Sequence, residues 1–337
     1  MDRREFGMTL FGAAMAATAL PAVAGAATPT DTVKVGSDHI EYLGRVVDHL
    51  WEMDSAGGSG GLVDVALTQY RRARQLLDHG EYGARTGTEL AGVTGRLANC
   101  AGWLAFDSGR LKTARTCTLD GLVLSERAGD ADLRANSVDD LRLEAWGDGR
   151  MQEALQYSLR ASDICRHVPS SRLQALYAAR EAVAHAAVGD SREAERAISH
   201  AWREADRGLD DPDDPPWLLY VTEAEIHSTE AKARVYLGQH DKAATIYHET
   251  IGTQQLQPRD EASYRVYYAA SLAHLGDTHT AVAEGLTALT MLEGAVRSPR
   301  LVSELRPVRT LVIASAKTDA NEFRTRFDAL TSRAAAS

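Results

Sequence analysis

The chain has 337 residues, 44% of them apolar and 25% charged, with a net charge of −10. That apolar content excludes a disordered chain, and the length leaves room for two ordinary domains or one elongated array. The acidic balance, with no basic cluster, excludes a large nucleic-acid surface, because phosphates are neutralised by concentrated Lys and Arg.

The sequence opens on Arg3-Arg4 and an uncharged run from Phe6 to Thr30, closed by small residues over 22–26. These meet the physical requirements of a twin-arginine export signal. Residues 1–30 are therefore expected to be a poorly ordered signal-like or linker segment, and 31–337 a single domain. Beyond Thr30, apolar positions recur at i, i+3, i+4 and i+7, and period-two alternation is nearly absent. The spacing predicts helices at about 37–53, 62–79, 86–106, 110–127, 131–147, 150–166, 172–188 and 191–207. Further helices are predicted at about 217–237, 240–252, 260–275, 278–292, 298–315 and 320–333. No stretch past Thr30 reaches the roughly 18 uncharged apolar residues of a membrane span.

Between the first two helices "GGSGG" (57–61) lacks the Lys-Ser/Thr and the preceding strand of a phosphate loop, so it reads as a flexible turn. Cys100, Cys117 and Cys165 lie at helical spacing among apolar neighbours and read as buried small hydrophobes. "DDPDDPP" (210–216) lacks the glycine and terminal glutamate of a calcium loop and reads as a solvated acidic loop. The 11 histidines show no metal-ligand spacing on a helix face. No catalytic constellation emerges, and neither a cofactor nor a metal is expected.

A repeat is visible at the predicted helix ends. Five times a glycine closes one helix and an alanine follows five residues later: Gly109/Ala114, Gly149/Ala154, Gly189/Ala194, Gly238/Ala243 and Gly276/Ala281. Glycine takes the left-handed conformation that stops a helix, and alanine one turn into the next helix lets the two approach. A small residue follows seven positions later at Gly121, Ala161, Ala201, Thr250 and Ala288. This pattern resembles the tetratricopeptide repeat, over about 95–292, with flanking helices at both ends. It implies an all-α, right-handed α-solenoid, since such pairs are stable only against their neighbours. In an array of that kind the first helix of each pair lines a concave groove. Counting back from the turn glycines gives the candidate groove residues Arg96, Asn99, Trp103, Asn136, Asp139, Glu225, Ser228, Lys232 and His274, with Phe106 and Trp146 beside them. Polar groups interleaved with indoles suit an extended peptide or a small ligand. Asn99, Asn136 and Asp139 are expected to be exposed there.

Longer stretches carry a second resemblance: "LANCAGWLAFDSGR" (97–110), "SERAGDADLRANS" (125–137), "AAREAVAHAAVGD" (178–190), "PPWLLYVTEAEIHSTEAKARVYLG" (215–238), "RDEASYRVYYAASLAHLGD" (259–277) and "RSPRLVSELRPVRTLV" (297–312). Together they resemble the C-terminal repeat region of actinobacterial transcriptional regulators of the lambda-repressor-like helix-turn-helix superfamily. The resemblance covers about 37–332 and implies a sensory or protein-interaction module, non-enzymatic, with a protein or peptide partner or a small signal molecule. The helix-turn-helix of that family lies upstream and has no counterpart here, so direct nucleic-acid binding is not expected. The same resemblance treats "RREF" and the small residues after it as a linker, which implies a cytoplasmic protein. The alternatives are a twin-arginine-exported extracytoplasmic scaffold and an enzyme that uses the groove as its active site.

Overall fold

The computed structural model describes residues 33–336 apart from 213, 215 and 314–316. The expectation for 1–30 lies outside the described residues. Among these residues all regular structure is helical, save one isolated bridge between Lys34 and Glu81. The helices in chain order are α1 (Ser37–Gly57), α2 (Val63–His79), α3 (Ala84–Asp107), α4 (Leu111–Ala128) and α5 (Ala131–Gly147). Next come α6 (Met151–Cys165), α7 (Ser171–Ala187), α8 (Ser191–Ala205), a 3-10 turn (Pro216–Tyr220), α9 (Glu223–Tyr236) and α10 (His240–Thr253). The last are α11 (Pro258–His274), α12 (Thr278–Glu293), α13 (Pro299–Glu304), α14 (Arg306–Leu311) and α15 (Thr318–Ala336).

From α3 to α12 the helices pack as five consecutive pairs, each closed by one of the five expected glycines. All five glycines have φ between 72 and 84°. Around Gly109 the glycine amide donates to Phe106 O at 3.0 Å and the Arg110 amide to Ala105 O at 2.8 Å. The same two bonds recur at Gly149, Gly189, Gly238 and Gly276, satisfying carbonyls that a helix end would leave bare. Ala114, Ala154, Ala194, Ala243 and Ala281 are at most 2% exposed, as the repeat requires. At the opposite ends, Asp130, Ser170, Asp190 and Asp277 cap α5, α7, α8 and α12, each side chain accepting from an amide three residues on.

Two predicted helices are interrupted. The stretch 298–315 is α13 and α14 with a break at Leu305, because Pro307 has no amide proton and its ring would strike the carbonyl of Ser303 in a continuous helix. The stretch 217–237 begins as the 3-10 turn: Leu218 and Val221 are fully buried, and the Trp217 Nε1–H donates to Asp132 at 2.8 Å. These anchors hold the chain out of α9. The acidic loop before it is solvated only in part. The Asp214 side chain is turned inward, accepting from the Ser170 hydroxyl at 2.5 Å and facing the Arg172 guanidinium.

The apolar core is a series of local clusters, one over α1–α4, two in the middle pairs and one over α9–α15. Cys100, Cys117 and Cys165 are buried and free. The exception to pairwise stacking is α1, which packs sparsely on α2 and more closely on α3, and also reaches α11 and the 3-10 turn.

Candidate functional site: the inner face

Alignment of the first helices of the pairs, α3, α5, α7, α9 and α11, on their turn glycines sorts their side chains by register. Ten residues before the glycine stand Asn99, Asp139, Ala179, Ser228 and Val266, none more than 4% exposed. This register is wedged between neighbouring helices. One residue later come Asp140, Arg180 and Tyr267, all half-buried, with Cys100 and Thr229 the buried members. A step of one residue turns a helix by about 100°, which is the difference between a packed position and the inner face.

The predicted groove residues therefore divide. Asn99 and Asp139, each 1% exposed, and Ser228 are interior, contrary to the exposure expected of the first two. Asn99 Oδ1 accepts from the Ser137 hydroxyl at 3.1 Å and lies against Gly121, so it joins α3, α4 and α5. Asp139 accepts from Arg142 at 2.6 and 3.0 Å and from Arg180 at 2.6 Å. The Ser228 carbonyl accepts from Tyr247. Arg96 is half-buried and ties α3 to α5 through Asp130 at 2.7 Å and Asp132 at 3.4 Å. Trp103 donates its Nε1–H to Asp54 at 2.9 Å, with the guanidinium carbons of Arg259 and Arg300 5.0 and 5.8 Å from its ring. Phe106 packs beside it, while Trp146 donates to the Tyr236 hydroxyl under Arg142. Asn136 and Glu225 are half-buried, and Glu225 accepts from the Tyr264 hydroxyl at 3.4 Å. Lys232 holds its ammonium 4.3 Å above the Tyr267 ring. His274 is exposed at a turn edge, stacked on His240 at 4.4 Å, and joins none of these groups.

The structure adds Asp140, Arg180, Tyr220, Asp260, Tyr267 and Arg300 to the inner face. Arg180 bridges Asp139 to the Tyr220 hydroxyl (2.8 Å), and Arg300 donates to the Tyr267 hydroxyl (2.8 Å). Burial pushes the Asp140 carboxyl well above its usual range, helped by the charge of Asp139 beside it. Burial and then Glu225 raise Asp260 to about 6. Burial works against ionised Asp139 too, but Arg142 and Arg180 outweigh it and hold that carboxyl low. Tyr267 is likewise lowered against burial, by Arg300 and Lys232. The face thus offers protonatable carboxyls, phenols and cations to a polar ligand. Arg180 and Glu181, charged in mid-helix within "LYAAREAVAHAA", were the sequence signal for this surface. No cluster of three or more His, Cys, Asp or Glu side chains suits a metal ion among the described residues.

No family model and no curated protein matches the chain. Among solved structures, the crystal structure of BtubC (BKLC) from P. vanneervenii is similar at 17% sequence identity and a TM-score of 0.45, over 68% of this chain and 89% of that one.

Proposed function

We propose that the chain is a non-enzymatic regulatory or sensor protein: a right-handed α-solenoid of tetratricopeptide-like pairs whose inner face binds a protein, a peptide or a small signal molecule. The observation that supports it most is the continuous polar and aromatic inner face, from Asp140 and Arg180 through Tyr220 and Glu225 to Lys232 and Tyr267. Side chains there donate, accept and stack, which suits recognition of a polar ligand. The family resemblance adds transcriptional control in the cytoplasm through a partner that carries the DNA-binding domain. No helix among the described residues is long and apolar enough to cross a membrane.

The test is capture from the native host with the unaltered chain and with a Glu225→Lys/Lys232→Glu variant, followed by calorimetry of the identified partner. A partner held by the first and lost by the second, at unchanged melting, is the expected result. Identical partners on both baits would remove the inner face from the function. The Arg3-Arg4 pair motivates the second reading, an exported scaffold. Retention inside the cell on Arg3→Lys/Arg4→Lys, with processed wild type outside, would favour it.

A further inference from the structure

The glycine-rich stretch 57–61 is the receiving half of a contact between the two ends of the array. The Arg297 amide donates to Gly57 O at 2.8 Å, and the Gly60 amide donates to Arg297 O at 3.1 Å. A Cβ on Gly60 would stand 2.3 Å from Arg297 Cβ, and one on Gly58 2.7 Å from Arg297 O, so a close backbone approach explains the composition of this loop. Behind it Asp107, with no exposed surface, accepts from Ser59 at 2.8 Å on one oxygen. On the other it accepts from Ser298 at 3.0 Å, Arg300 at 3.0 Å and Arg259 at 3.1 Å. One carboxylate at the end of α3 thus holds α11 and the start of α13.

The chemistry of this seam differs from that of the five helix pairs, which close on buried alanines. The apolar cluster of α1–α4 contains no residue beyond Ala128, and that of α9–α15 none before Ala224, so no apolar core crosses the seam. Its cross-links are hydrogen bonds, ion pairs and the Arg259 and Arg300 contacts to Trp103. Separating a helix pair exposes apolar surface to water. Separating the seam exposes groups that water rehydrates, and a buried ion pair contributes little net stability beyond its own desolvation.

We propose that this seam is a latch: the array opens between Gly57–Gly61 and Ala295–Arg300 while its helix pairs stay folded, and opening admits a partner to the inner face. The coupling to a partner rests on the function proposed above; the opening of the seam stands without it.

Spin labels on Ala56→Cys and Ala295→Cys, both exposed positions flanking the seam, report its width in the full chain, the native cysteines being buried. The expected result is one short distance with a minor long one. In Asp107→Asn the long fraction should rise about tenfold at unchanged helicity, for loss of one charged acceptor. A single short distance in both proteins at equal helicity overturns the latch. Hydrogen exchange of the unaltered protein decides independently, including if Asp107→Asn does not fold. Gly60 and Arg297 amides should exchange about a hundredfold faster than those of Arg150 and Asp190 in the pair turns. Equal rates would make the seam part of the cooperative fold and end the proposal.

Discussion

Gly121 and Gly189 are both glycines in helix pairs, and they answer to different constraints. At Gly189 a Cβ meets nothing within 4 Å, but φ is 84°, so Gly189→Ala should cost about 1–2 kcal/mol of backbone strain. At Gly121 the backbone is helical and a Cβ would stand 2.0 Å from Asn99 Oδ1. Gly121→Ala should therefore cost roughly 1–3 kcal/mol by overpacking, and Asn99→Ala should recover part of it, as a double-mutant cycle in urea would show. Removing the Asp139 carboxylate leaves Arg142 buried without its ion-pair partner and takes one of two partners from the half-buried Arg180, so Asp139→Ala should cost roughly 3–5 kcal/mol. Asn136→Ala, at a half-buried position, should stay within about 0.5 kcal/mol. Asp260 carries a pH signature. Its carboxyl rises from 3.8 to about 6 on folding, so the folded state binds the extra proton between those values. The stability it contributes falls as pH rises through that window and is lost above about 6. Asp260→Asn should then stabilise the protein by about 1–2 kcal/mol at pH 7.5 and leave it unchanged at pH 4, read by thermal melts at both.

For the elements, the Gly-to-Ala register carries its own prediction. Ala194 has no exposed surface where α7 meets α8, so Ala194→Phe should overpack that pair and cost on the order of 1–3 kcal/mol in chemical denaturation. Pair boundaries were legible because a turn glycine and a buried alanine are local requirements written five times. The direction in which each helix faces was not. Asn99 and Cys100 are both compatible with an i, i+3, i+4 count, and the crossing of one pair on the next decides between them. The break at Leu305 was legible in Pro307, whereas the 3-10 turn was set by distant partners, Asp132 among them, that no local pattern names. Arg259 and Arg300 had no sequence signal, since their common partner Asp107 lies 152 and 193 residues away.

Across the molecule, the net charge of −10 repels a polyanion, and Arg180 and Arg300 on the inner face are paired with carboxylates. The isolated chain should show no competitor-resistant binding to duplex DNA at physiological salt in a mobility-shift titration. The seam has a consequence in time. Each helix pair forms from neighbours in the chain, but Asp107 waits for Ser298, 191 residues later. At a synthesis rate of roughly 5–20 residues per second that interval is about 10–40 s. Through it the first pairs are complete, and the carboxylate that will join the two ends stays hydrated at the tip of α3. Closure of the seam therefore follows formation of the first pairs, and a nascent chain presents Asp107 to the cell before it has Ser298 and Arg300 to close on it.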